Sequence, residues 1–96
     1  MFLVYVLYSV NGKKGYTGLT NDVERRLFEH NVSETSGYSL RYRPWTLIRQ
    51  EQYLTKQEAM RREKFLKTGR GRMEIKSFVD SFLKNDGAVS ATAEKD

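Results

Sequence analysis

The sequence predicts a small α+β domain built on a three-stranded, mostly antiparallel sheet flanked by helices. Three observations carry that expectation. The chain opens on a β-branched and aromatic run that a turn signal folds back onto a second extended run; two capping boxes precede stretches of helical period; and 96 residues hold one modest core, with no room for a separate specificity domain. The domain is expected over residues 1–84, followed by a disordered C-terminal tail over 85–96.

Phe2 to Tyr8 reads as a buried strand, Asn11-Gly12 as a turn, and Gly15 to Leu19 as the returning strand of a hairpin. Asn21-Asp22-Val23-Glu24 has the form of a capping box, which predicts a helix to about His30, with Val23 and Leu27 as apolar contacts and Asn31 as a left-handed stop. Val32 to Arg43 shows no clear period and predicts a long loop or a short irregular helix. Trp45 to Tyr53, after Pro44, reads as the third strand. Thr55-Lys56-Gln57-Glu58 is a second capping box, predicting a helix from Lys56 to about Lys67 that closes at Gly69. A last helix, about Met73 to Leu83, places Ile75, Phe78, Val79 and Phe82 at helical spacing. From Asn85 onward, small and charged residues offer little to bury.

Composition narrows the setting. No cysteine is present, which excludes disulfides and thiolate metal sites and fits a reducing interior, so the cytoplasm is the expected location. The apolar start lacks a preceding basic residue and runs into Asn-Gly-Lys-Lys, unlike a signal peptide, and no apolar stretch approaches the ~20 residues a membrane span needs. The net charge of +5 conceals an asymmetry: the last twelve residues carry one lysine and three acids, leaving +7 on the body. From Arg61 to Lys76, seven basic residues face only Glu63 and Glu74. That imbalance favours a polyanionic partner, and a solvated basic helix face is its plainer alternative.

Five residues stand at spacings that suggest phosphate chemistry. If the first two runs pair, Tyr5 and Tyr16 share one small sheet, while Arg26 and His30 lie four residues apart on one helix face. Glu63 stands out by periodicity, in the middle of an inward stripe of Ala59, Met60 and Leu66. A carboxylate there is either paired with an arginine or holding a cation. Each of the others has a plain reading too: strand aromatics with satisfied hydroxyls for the tyrosines, a surface helix arginine for Arg26, and a helix C-terminal complement for His30.

Leu3-Val4-Tyr5, Tyr16-Thr17-Gly18, Arg26 ten residues after the second tyrosine, His30 one turn later, and Glu63 within Ala59-Met60-Arg61-Arg62-Glu63-Lys64-Phe65-Leu66-Lys67 together resemble the pattern of the GIY-YIG endonuclease superfamily. The resemblance covers roughly Phe2 to Lys76 and looks closest to small single-domain bacterial members, similar to the N-terminal domain of the bacterial excision-repair nuclease. Leu3 stands where the pattern has its first glycine and Thr17 where it has isoleucine; both tyrosines are kept.

The resemblance implies a metal-dependent endonuclease hydrolysing DNA phosphodiesters, structure-specific in repair or processing. Tyr5, Tyr16, Arg26, His30 and Glu63 would be its catalytic residues, with Glu63 as ligand to one Mg²⁺ or Mn²⁺ ion. A single carboxylate suits Mg²⁺, which keeps several waters and takes substrate phosphate oxygens as further ligands. Tyr16 is the implied general base and Tyr5 the orienting group. The alternative is a module that keeps the fold, binds nucleic acid or protein, and turns over little. DNA is the expected partner; no residue excludes RNA, none indicates a membrane, and none names a protein partner. Tyr38 with Arg41-Tyr42-Arg43 interleaves aromatic and basic groups as a stacking surface would, and Lys67 with the flexible basic turn Thr68-Gly69-Arg70-Gly71-Arg72 offers phosphate contacts.

Overall fold

The computed structural model describes residues 1–33 and 37–92. Three strands form one antiparallel sheet: β1 (Phe2–Ser9), β2 (Lys14–Thr20) and β3 (Thr46–Tyr53), in the order β2-β1-β3. The hairpin register pairs Tyr5 with Gly18 and Leu7 with Tyr16. On the other side β1 pairs with β3, with a register shift between Val6 and Leu7. The most apolar run is therefore the central strand, where both faces are covered.

Strand alternation divides β1 between two cores. Val4 and Val6 pack with Ala59, Leu66, Ile75 and Phe78 under α3 (Lys56–Leu66) and α4 (Gly69–Thr92). Tyr5 and Leu7 point to the opposite face and pack with Trp45, Tyr16, Val23 and Leu27, the last two from α1 (Val23–Phe28). A π-helical turn, Glu29–Ser33, extends α1, and a short helix, α2 (Tyr38–Arg41), precedes β3.

Local chemistry sets the boundaries. The N-cap of α1 is Asp22, one residue later than the capping box predicts, and its carboxylate accepts from the Arg25 amide at 3.0 Å. Thr55 caps α3 as expected, accepting from the Glu58 amide at 3.2 Å. Asn31 does not end a helix in a left-handed turn. Its side chain instead holds the backbone of Trp45 at both ends, donating to the carbonyl at 3.0 Å and accepting from the amide at 2.6 Å.

The corner between α3 and α4 also differs from expectation. Residues 68–72 are not a flexible turn, because α4 starts at Gly69 with the Thr68 hydroxyl accepting from the Gly71 amide at 3.2 Å. Gly71 is required there: a Cβ would lie 2.7 Å from the carbonyl carbon of Leu66, so the helices meet too closely for a side chain. From that start α4 runs as one helix to Thr92, past the break predicted near Leu83 and into the stretch predicted to be a tail. No proline interrupts it, and extending a helix costs far less than nucleating one. Residues 93–96 lie outside the described residues.

Candidate active site

Tyr5 lies at the centre of the sheet face that α1 covers. Its ring crosses the edge strand at Gly18, where a Cβ would stand 2.5 Å from Tyr5 Cζ and 2.9 Å from Cε2. Glycine at this position is thus a steric condition for the tyrosine. The ring stacks on Tyr16 with centroids 6.3 Å apart. Both tyrosines face the same way because the register places them two residues apart along one face.

His30 closes this group. It is 1 % exposed, its Nε2 lies 3.2 Å from the Tyr5 hydroxyl, and its ring meets Tyr16 edge-on at 4.5 Å. The π-helical turn carries it inward, and Arg43 fixes that turn by donating from Nε to the His30 carbonyl at 2.6 Å. A surface histidine complementing a helix end is thereby ruled out: the side chain is core. Trp45 completes the wall, edge-on to Tyr16 at 6.1 Å.

Arg26 reaches the same place from α1. Its Nη1 donates to Glu29 Oε1 at 2.6 Å, and its side chain is one quarter exposed. The Tyr5 hydroxyl feels this guanidinium directly. Burial pushes the phenol above its ordinary value, and a hydrogen bond and the positive charge from Arg26 act against the rise. The charges of Tyr16 and Glu63 push it further up. All four remaining site residues are therefore close enough to Tyr5 to touch it or act on it.

Glu63 comes from the other layer. On α3 the inward stripe is Ala59 and Leu66, with Arg62 and Glu63 half-buried between them; Met60, placed in that stripe by the helical wheel, is 44 % exposed. The Glu63 side chain is 23 % exposed and accepts from Lys67 Nζ at 3.1 Å, so its partner is a lysine one turn on rather than an arginine. Among the described residues no group of three or more His, Cys, Asp or Glu could hold a metal. A single accessible carboxylate is nevertheless a donor Mg²⁺ accepts, since it completes its shell with water and substrate oxygens. The residues present fit such an ion.

The second predicted surface is divided. Tyr42 packs against the hairpin turn, where a Cβ on Gly12 would lie 2.5 Å from its Cδ1, and Lys14 and Arg41 stand over its ring at 5.8 and 6.0 Å. Arg43 is turned onto the π-helical turn, leaving Arg41 as the exposed cation of that trio. The Tyr38 side chain lies outside the described residues. Lys67 and Arg72 line one cleft of about 410 Å³ beside β2, whereas Arg70 is exposed at the start of α4 and does not line it. Sequence reasoning missed Asn31, Glu29, Thr68 and Trp45 as organising residues; only Thr68, a hydroxyl three residues before an amide-rich helix start, carried a local signal.

Two tyrosines from a hairpin, an arginine and a histidine from the following helical segments, and a carboxylate from the next layer are thus grouped around the Tyr5 hydroxyl. The GIY-YIG catalytic domain matches residues 1–76, and the chain belongs to that family. Within it, the chain is similar to the UPF0213 proteins. It is 39 % identical over 66 residues to one from Staphylococcus saprophyticus, covering 67 % of this chain and 80 % of that one. It is 44 % identical over 63 residues to one from Halobacterium salinarum, covering 66 % and 80 %. A solution structure of a UPF0213 protein from Bacillus halodurans is 31 % identical, with a TM-score of 0.48, covering 80 % of this chain and 84 % of that one. No helix among the described residues is long and apolar enough to cross a membrane.

Proposed function

We propose that this protein is an endonuclease that hydrolyses phosphodiester bonds in DNA with the help of one divalent ion. The observation that carries the reading is convergence on the Tyr5 hydroxyl: His30 at 3.2 Å, the stacked Tyr16 ring, the Arg26 guanidinium and the Glu63 charge. Burial keeps Tyr5 protonated at neutral pH, so its oxygen accepts from Arg26 while its hydroxyl lies against His30 Nε2, and it positions these two side chains rather than acting as a base. Tyr16 is the more accessible of the two and takes the role of base.

Only the phenolate form of a tyrosine can take a proton from water. Tyr16 removes a proton from water as the water oxygen bonds to phosphorus and the bond from phosphorus to the 3′ oxygen breaks, the proton returning to that leaving oxygen through solvent. Arg26 presents its planar fork to two phosphate oxygens, held in place by Glu29. Glu63 would hold the Mg²⁺ or Mn²⁺ ion, which when bound supplies positive charge to the phosphate during the reaction. GIY-YIG nucleases are generally dependent on a divalent metal, which supports this assignment.

One observation favours the rival reading of a binding module with little turnover: Lys67 already balances the charge of Glu63. The deciding experiment incubates the protein with end-labelled single-stranded, duplex, flapped and branched DNA, and with RNA, with Mg²⁺, with Mn²⁺ and with chelator. Metal-dependent cuts on DNA support the nuclease. Binding to every substrate without a cut supports the module, and cuts on RNA alone transfer the activity to a ribonuclease.

A further inference from the structure

The cleft of about 410 Å³ runs along edge strand β2, where Gly15, Tyr16 and Thr17 line it. Alternation along β2 puts Gly15 and Thr17 on the face of Leu19, which packs with the α3 and α4 core, while Tyr16 points to the Tyr5 face. The cleft is closed by Leu66 and Ile75 and rimmed by Lys67 and Arg72. Leu66 and Lys67 follow Glu63 by three and four residues on α3, so the cleft begins one helical turn from the carboxylate proposed to hold the metal.

We infer that this cleft is a subsite for one unpaired nucleobase of the strand being cut, which makes an unpaired strand the preferred substrate. The inference rests on the nuclease reading above. The volume lies at the small end of the range for ligand sites, about 300 to 1,000 Å³. It accepts one base with its sugar and excludes a stacked base pair. Its chemistry is divided as a nucleotide is: an aliphatic floor for the base, and two cations at the rim for the phosphates on either side. Gly15 keeps the floor open. A Cβ there would stand 4.0 Å from Ile75 Cγ2, in ordinary contact, so the space is available without being demanded by the fold. A strand entering the cleft must pass the sheet edge to bring its neighbouring phosphate to Arg26, and a paired base cannot make that turn without leaving its partner.

The test uses the full chain carrying Glu63→Gln to block turnover, with oligonucleotides in which 2-aminopurine replaces one base at successive positions. Taken out of the stack of its neighbouring bases, the probe at one position in a single strand should rise several-fold in fluorescence on binding. Thr17→Phe, which fills the cleft from a strand position that favours aromatic residues, should abolish the rise and weaken single-strand binding about tenfold while leaving duplex affinity unchanged. Gly15→Ala, which fits without strain, should reduce the rise and keep the fold if Thr17→Phe does not. Binding and cleavage with no fluorescent position, or a rise that survives both substitutions, overturns the subsite and leaves the nuclease reading intact. A parent protein that binds no strand at all sinks both.

Discussion

Two clusters of tyrosine, arginine and glutamate stand on this sheet, and they differ in how fully their carboxylates are occupied. Glu51 on β3 accepts from Arg62 Nε at 2.8 Å, Arg62 Nη2 at 3.1 Å, Arg49 Nε at 3.0 Å and the Tyr53 hydroxyl at 2.8 Å, and Arg62 also reaches Glu74 at 2.7 Å. Four donors fill a carboxylate. The Arg62 hydrogen bonds hold Glu51 down to about 2, against the opposing effect of burial, and tie β3 to α3 and α4. Glu63, one residue on from Arg62 in the chain, has a single exposed lysine as its partner among the described residues. The same residue types thus build a staple at one place and leave a carboxylate with a single lysine partner at the other. What separates them is saturation.

Substitution should divide the two clusters cleanly. The largest effect is expected from Glu63→Gln, which should reduce cleavage by about 10³-fold, several kcal/mol of lost charge stabilisation, while nucleic-acid affinity changes little because phosphate contacts come from lysines and arginines. Glu51→Gln should do the reverse, lowering stability by about 2 kcal/mol in urea unfolding with cleavage per folded molecule intact. Equal losses of rate in both variants would erase the distinction.

The tyrosines sharpen it. Tyr16→Phe should slow single-turnover hydrolysis by about 10²-fold and Tyr5→Phe by about tenfold, since one is proposed to touch the water and the other to position Arg26. Tyr53→Phe, in the saturated cluster, should cut at the rate of the parent. A Tyr5→Phe loss larger than that of Tyr16→Phe would exchange their roles.

Acid should weaken the staple selectively. The pKa of Glu51 is depressed in the folded chain, so its contribution to stability is complete above the ordinary carboxylate value near 4.5 and is lost as the pH falls towards about 2. Urea midpoints measured over that window should fall more steeply for the parent than for Glu51→Gln. Parallel curves would show that Glu51 is not the residue titrating.

The smallest effect concerns binding alone. Replacing Arg70 and Arg72 by alanine should reduce the slope of log affinity against log salt by about 0.7 to 0.9 per lost phosphate contact, with modest change in single-turnover rate. An unchanged slope would move the nucleic-acid path to Arg41 on the other side of the hairpin.

Features decided by neighbouring residues were legible in the chain. The hairpin followed from Asn11-Gly12 between two extended runs, and Thr55 announced α3 because its partner amide lies three residues away. Tyr5, Tyr16, Arg26 and Glu63 were legible as a pattern through their family resemblance. Contacts between distant residues were not. Asn31 clamps Trp45 fourteen residues on, and Arg43 holds the His30 carbonyl, arrangements that no local period encodes. His30 was placed beside the tyrosines by the same resemblance, but its burial was not legible: the π-helical turn, with one extra residue, carries the side chain into the core. Met60 failed for a related reason, since periodicity gives the width of an apolar stripe but not which flank the sheet covers. Arg62, read as part of a basic surface, is instead spent on Glu51 and Glu74.

The central claim is that side chains from two layers act as one site across the sheet edge. Single-turnover cleavage by Tyr16→Phe, Glu63→Gln and the double variant measures this directly. Residues that act as a unit lose their effect together, so we expect the double variant to be slower than Glu63→Gln by no more than about threefold. Losses that multiply in full, or a Glu63→Gln variant that cuts as fast as the parent, would contradict it.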